Sequence, residues 1–144
     1  MAQGDLVQRM LGAATLNINT YEEVEADETA TMQAAAVVAM VAVASAIGGA
    51  GGGATSILVA PIAQIIGWLI WAAVTYIIGD KLFGGTATWG ELLRTLGFAQ
   101  APGLLYVIAI LPILGGMVRL VVGIWMLVAG IIAIRQALDF GTGK

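Results

Sequence analysis

The chain has 144 residues, of which 60% are hydrophobic and 10% charged, with a mean hydropathy of +0.96; a soluble domain carries about a quarter charged residues, so the composition is that of a membrane-embedded chain. There is no cysteine and no histidine, which removes disulfides, thiolate chemistry, iron–sulfur ligation, the usual axial haem ligand and the commonest general base, and no cofactor is expected. The net charge of −3 gathers ahead of the first apolar segment and offers no basic surface to nucleic acid.

The chain opens without the positive start and direct apolar run of a signal peptide. Asp5 with Gln8 can cap a helix on which Leu6, Val7, Met10, Leu11 and Ala14 share one face. The spacing predicts either an amphipathic helix lying in the membrane interface or a short helix packed under the bundle. Thr20 and Glu23 match a second capping box, followed by Glu25, Asp27 and Glu28. This acidic cluster reads as a solvated face with charge favourably placed before a helix N-terminus; the alternative is a site for a basic partner or a divalent cation. Residues 1–28 are thus expected to form a cytoplasmic segment and residues 29–144 a transmembrane bundle.

A spanning helix needs about 20 apolar residues, and four segments qualify: about 29–48, 57–78, 95–113 and 118–138. The first is built of Ala and Val, with Ala35, Ala39, Ala42, Ala46 and Gly49 at alternating steps of four and three. That stripe is a face on which another backbone approaches closely. The glycine tract that follows, from Gly48 to Gly53 with one Ala among the glycines, is expected to be a flexible loop; a phosphate loop is excluded because no Lys-Ser/Thr pair follows it.

The second span has Pro61 near its start, where a missing amide does least harm. Gln64, Trp68, Trp71 and Thr75 share one stripe. Both tryptophans lie too deep for an aromatic belt, so they are expected to face protein, either as interhelical packing or as the floor of a lipid or apolar-ligand groove. In the connection after Gly79, Thr88 and Glu91 form another capping box, Glu91 and Arg94 are spaced as an ion pair, and Trp89, Arg94 and, further on, Arg119 are expected to anchor at the interface. The third span contains Gln100, Pro102 and Gly103 and ends near Pro112, which predicts a bent or broken helix.

Gly115 and Gly116 turn the chain into the fourth span, where Gly123, Met126, Gly130, Ala133 and Ala137 make a second packing stripe. Arg119 is expected to snorkel, and Arg135 to pair with Asp139. No ionisable group falls in the middle of a span, which removes the residues that proton relays and voltage sensors need. Placing both termini inside leaves only Arg119 outside, in line with the positive-inside rule.

The blocks YEEVEADETATMQA (21–34), GWLIWAAVTYIIGDKLFGGTATWGELLRTLGFAQAPGLL (67–105) and VRLVVGIWMLVAGIIAIRQALDF (118–140) resemble the bacterial branch of the Yip1 domain family. The most specific part is the run from Gly85 to Arg94 with Ala101, Pro102 and Gly103 after it. The resemblance implies an all-α polytopic membrane protein in a bacterial cytoplasmic membrane. In the eukaryotic branch it would imply association with Rab GTPases, but the short acidic N-terminus here lacks that branch's longer cytoplasmic region. Yip1-like proteins usually have five spans where this sequence has four, so the expectation is either a lost fifth span or, the reading preferred, a truncated sequence. The functional expectation is a non-enzymatic accessory or scaffold subunit that contacts the bilayer and other membrane subunits or itself. The alternative is a small transporter or lipid-handling protein with a cavity near Gln64, Trp68, Trp71, Gln100 and Pro102.

Overall fold

The computed structural model describes residues 5–138, and every regular element among them is helical. In hydrocarbon no water is available to satisfy backbone amides, so a spanning segment satisfies them within its own helix. This is why segments as rich in valine, isoleucine and glycine as these are helical despite modest propensity.

Two short helices come first, α1 (Leu6–Ala14) and α2 (Ile18–Ala26). Asp5 caps α1 by accepting the Gln8 amide at 2.7 Å. Asn17 caps α2 through the Asn19 amide, so this helix starts before the Thr20–Glu23 pair and that expected capping box does not form. A Leu16 with φ of 64° turns the chain between them. Neither helix stands apart from the bundle. Leu6, Met10 and Ala14 pack on the core while Val7 and Leu11 face outward, and the Trp125 indole, near the middle of the last helix, donates to the Ala14 carbonyl at 2.6 Å. Of the two expectations for α1, the structure takes the packed one: α1 and α2 form a hairpin that leans into the bundle.

Among the described residues, four helices are long and apolar enough to cross a membrane. They are α3 (Ala30–Gly48), α4 (Ala54–Thr75) prolonged by a π-helical stretch (Tyr76–Leu82), α5 (Trp89–Ala99) prolonged by a 3₁₀ stretch (Ala101–Ile110), and α6 (Gly115–Ala137). The α3–α4 connection is not a loose loop. A single 3₁₀ turn, Ala50–Gly52, followed by Gly53 at φ 86°, delivers the chain directly into α4, and only the last of these glycines is required by its backbone angle.

The third span begins at Trp89, earlier than hydropathy suggests, because the Thr88–Glu91 capping box forms: the Thr88 hydroxyl accepts the Glu91 amide at 3.2 Å and the Glu91 carboxylate accepts the Thr88 amide at 2.8 Å. It changes character at Gln100, where Pro102 has no amide to donate and the backbone tightens. This third span is the axis of the molecule, 61% buried against 11% for the second. Leu92, Leu96 and Phe98 are fully covered, as are Ala34, Val37 and Val41 of α3. Contact is close where glycine allows it: a Cβ on Gly97 would stand 2.9 Å from that of Ala34.

Candidate functional site

Three polar constellations interrupt this apolar molecule. The first lies where the hairpin meets the bundle. The Arg9 guanidinium, 2% exposed, donates to Glu23 at 2.8 and 2.9 Å, to Asp27 at 2.8 Å and to Gln33 of α3 at 2.7 Å. Burial alone would lower its pKa, but the hydrogen bonds and charges of Asp27 and Glu23 outweigh that and raise it above the ordinary arginine value. Asp27 moves the other way, held below the usual carboxylate range by hydrogen bonds from Thr29 and then Arg9. The neighbouring Tyr21 hydroxyl donates to the Ala13 carbonyl at 2.9 Å, and burial pushes its pKa up. Among the described residues no three carboxylates are gathered as a metal site; Glu23 and Asp27 of the acidic cluster are spent on Arg9.

Arg94 belongs to the same junction. It is buried, and it donates to the Val24 carbonyl at 2.9 Å, the Glu25 carbonyl and the Thr31 hydroxyl at 3.3 Å. It thus caps the last turn of α2 across the interface. The expected ion pair with Glu91 gives way to this role, because Glu91 is held by its own capping box. Trp89 meets Tyr76 edge-to-face at 6.5 Å, and the Lys81 ammonium lies 5.3 Å from the Tyr76 ring centre.

The second constellation is the stripe on α4. The Gln64 amide donates to the Gln100 side-chain oxygen, and the Trp68 indole donates to the Leu93 carbonyl at 3.1 Å. The benzo edge of the Trp71 indole meets Gly130 of α6 and occupies the space a Cβ there would need. Pro102 is buried at the head of the 3₁₀ stretch. The tryptophans therefore make contacts between helices.

The third constellation is a cavity of about 490 Å³ at the opposite end of the bundle from the hairpin junction. The end of α3, the start of α4, the 3₁₀ stretch and the start of α6 line it on an open side of the bundle, and Ser45, Ser56, Gln64, Tyr106 and Arg119 supply its polar lining. Gln64 alone connects it to the expected cavity residues. Arg119 does more than anchor: it donates to the Gly48 carbonyl at 2.9 Å, closing the C-terminal turn of α3. Ser45, Ser56 and Tyr106 escaped the sequence reading, since isolated hydroxyls in apolar helices are ordinary. A signal was nevertheless present. No Asp or Glu stands between Glu28 and Asp80 or between Glu91 and Asp139, so Arg119 has no carboxylate within reach along the chain.

The packing residues divide. Ala42, Gly130 and Ala133 are buried inside the molecule, Ala35 and Ala46 are half-buried, and Ala39 is exposed. The buried ridge of α3 runs instead through Ala30, Ala34, Val37, Val41 and Ala44. Gly123 is half-buried with open space where its Cβ would be. Arg135 lies at the end of α6, and its expected partner Asp139 falls outside the described residues.

A helical bundle with, among the described residues, four apolar helices of spanning length and all but one of the ionised side chains near one end is an integral membrane protein of the multi-pass class. The model of the Yip1 domain matches residues 16–144, and the chain belongs to that family. No curated protein and no solved structure matches it.

Proposed function

We propose that this Yip1-family protein is a non-enzymatic accessory subunit that acts by packing against other membrane helices, a second copy or a different subunit. One observation carries the reading. Gly116 and Gly123 stand seven residues apart on α6, both with nothing within 4 Å of the position a Cβ would take, beside exposed Leu120, Ile124 and Leu127. Seven residues are nearly two turns, so the two glycines share a face. Between membrane helices there is no hydrophobic drive to associate, and close backbone approach at small residues supplies the attraction. The exposed Ala39 of α3 offers a similar point. The Lys and Arg asymmetry supports placing the N-terminus inside, and the resemblance to the bacterial branch of the family favours a bacterial cytoplasmic membrane.

Extracting the untagged protein in mild detergent and resolving it on a native gel tests this. Wild type should migrate in a defined assembly, and Gly123→Leu should release it while its melting temperature stays unchanged; a wild type that migrates as a monomer overturns the reading. A second reading, lipid handling, is favoured by the cavity around Arg119, which combines polar and apolar lining, is of ligand size and opens in the outer part of a membrane helix.

A further inference from the structure

We infer that the Arg119 cavity is a binding site for the phosphate of an anionic phospholipid whose acyl chain lies along α4. The inference rests on the lipid-handling reading and names the ligand class.

Charge comes first. Arg119 is the fifth residue of α6, about 6 Å along the axis from the helix start at 1.5 Å per residue, and its exposed side chain presents a positive charge at the depth of lipid phosphates. Its protein partner is a neutral carbonyl, that of Gly48. The segments that form this end of the bundle contain no carboxylate and no other cation, so a counter-ion has to come from outside the chain. Basic pockets between transmembrane helices take lipid phosphates on this principle.

The remaining lining narrows the headgroup. Ser45, Ser56 and Tyr106 offer hydroxyls and Gln64 an amide, which suit phosphate oxygens and a hydroxylated headgroup. The lining holds no carboxylate to pair with an ammonium, so a zwitterionic choline or ethanolamine headgroup gains nothing there for its positive charge. Shape supplies the acyl chain's path. Ala63 lines the cavity and also a shallow, open apolar groove along the outer face of α4, formed by Val59, Ile62, Ile66, Gly67 and Ile70. A Cβ on Gly67 would meet nothing within 4 Å. Polar cavity and apolar groove thus meet at one residue, which is the outline of an amphiphile.

Native mass spectrometry of the full chain in detergent decides the matter, with phosphatidylglycerol, phosphatidylcholine and inorganic phosphate titrated separately. Wild type should bind phosphatidylglycerol in preference to phosphatidylcholine. The preference should fall about tenfold in Arg119→Gln, the scale of one charge-assisted hydrogen bond, and survive in Arg119→Lys. Because Arg119 also holds the end of α3, Ala63→Phe provides an independent arm: it leaves the Arg119–Gly48 bond in place, fills the junction of cavity and groove, and should weaken phospholipid binding by a similar factor. Equal binding of both lipids, unaffected by Arg119→Gln, overturns the phosphate site and leaves lipid handling standing. Inorganic phosphate binding as tightly as phosphatidylglycerol overturns the lipid assignment in favour of a free anion. No bound lipid under any condition overturns both readings.

Discussion

Gly123 and Gly130 lie one heptad apart on the same helix and answer to different neighbours. Trp71 occupies the space over Gly130, whereas nothing approaches Gly123. Gly130→Ala should therefore cost about 1–3 kcal/mol, the usual range for overpacking a filled contact, while Gly123→Ala should leave stability unchanged or slightly raised through its better helix propensity. Thermal unfolding of the two variants in one detergent measures the contrast; equal melting temperatures would mean that Trp71 swings away at no cost. The sequence places both glycines in a single stripe and has no means of separating them. Helical periodicity reports which residues share a face, but which partner that face meets is a property of the fold. Arg119 shows the converse. Its lack of any acidic neighbour is readable from residue order alone, yet its bond to Gly48 joins residues 71 positions apart.

Among the elements, the third span shows how local rules and membrane context combine. Thr88 and Glu91 start α5 by reciprocal capping bonds, and Pro102 ends regular α-helical bonding near Gln100. Both features are legible because they depend on groups within four residues of one another. Thr88→Ala should destabilise the first turn of α5 by about 1 kcal/mol, the ordinary cost of a lost N-cap. Hydrogen exchange of the Glu91 amide should rise accordingly, and an unchanged rate would show that burial alone holds the turn. What local rules miss is the competition between equally good caps. Thr20 with Glu23 satisfies the capping pattern, but Asn17 comes first and already caps α2. Glu23 then serves Arg9, and Arg94 serves the carbonyl end of α2 rather than Glu91. Side chains with several compatible partners take the ones that burial makes most valuable, because an unpaired charge costs most where water is excluded.

At the scale of the whole molecule, the hairpin of α1 and α2 is held to the spanning helices by the Arg9 and Arg94 junction. Its pH dependence follows from the shifts there. Asp27 sits below its ordinary value of 3.8 in the folded protein, so its ionised form stabilises the fold; that contribution is complete above the unfolded value and is lost as pH falls below 3.8 through the lower native value. Arg9, raised above the ordinary arginine value, stays charged throughout. Acidification should thus loosen the hairpin, seen as a falling melting temperature below about pH 4, and Asp27→Asn should flatten that fall. A wild type with no acid dependence would show that the hairpin is held by apolar contacts alone.

By itself the sequence determined that this is an all-helical membrane protein, which segments are apolar enough to span, where the third span breaks, and which chemistries its residue types exclude. These depend on composition and on groups close along the chain, and the bilayer's demand for satisfied backbone bonds leaves few alternatives. Only the tertiary structure decided that the hairpin packs into the bundle, that the tryptophans fill helix contacts, and that Ser45, Ser56, Gln64, Tyr106 and Arg119 surround one cavity. Each of these joins side chains far apart in sequence, and hydropathy reports how readily a residue leaves water without saying which neighbour it meets there.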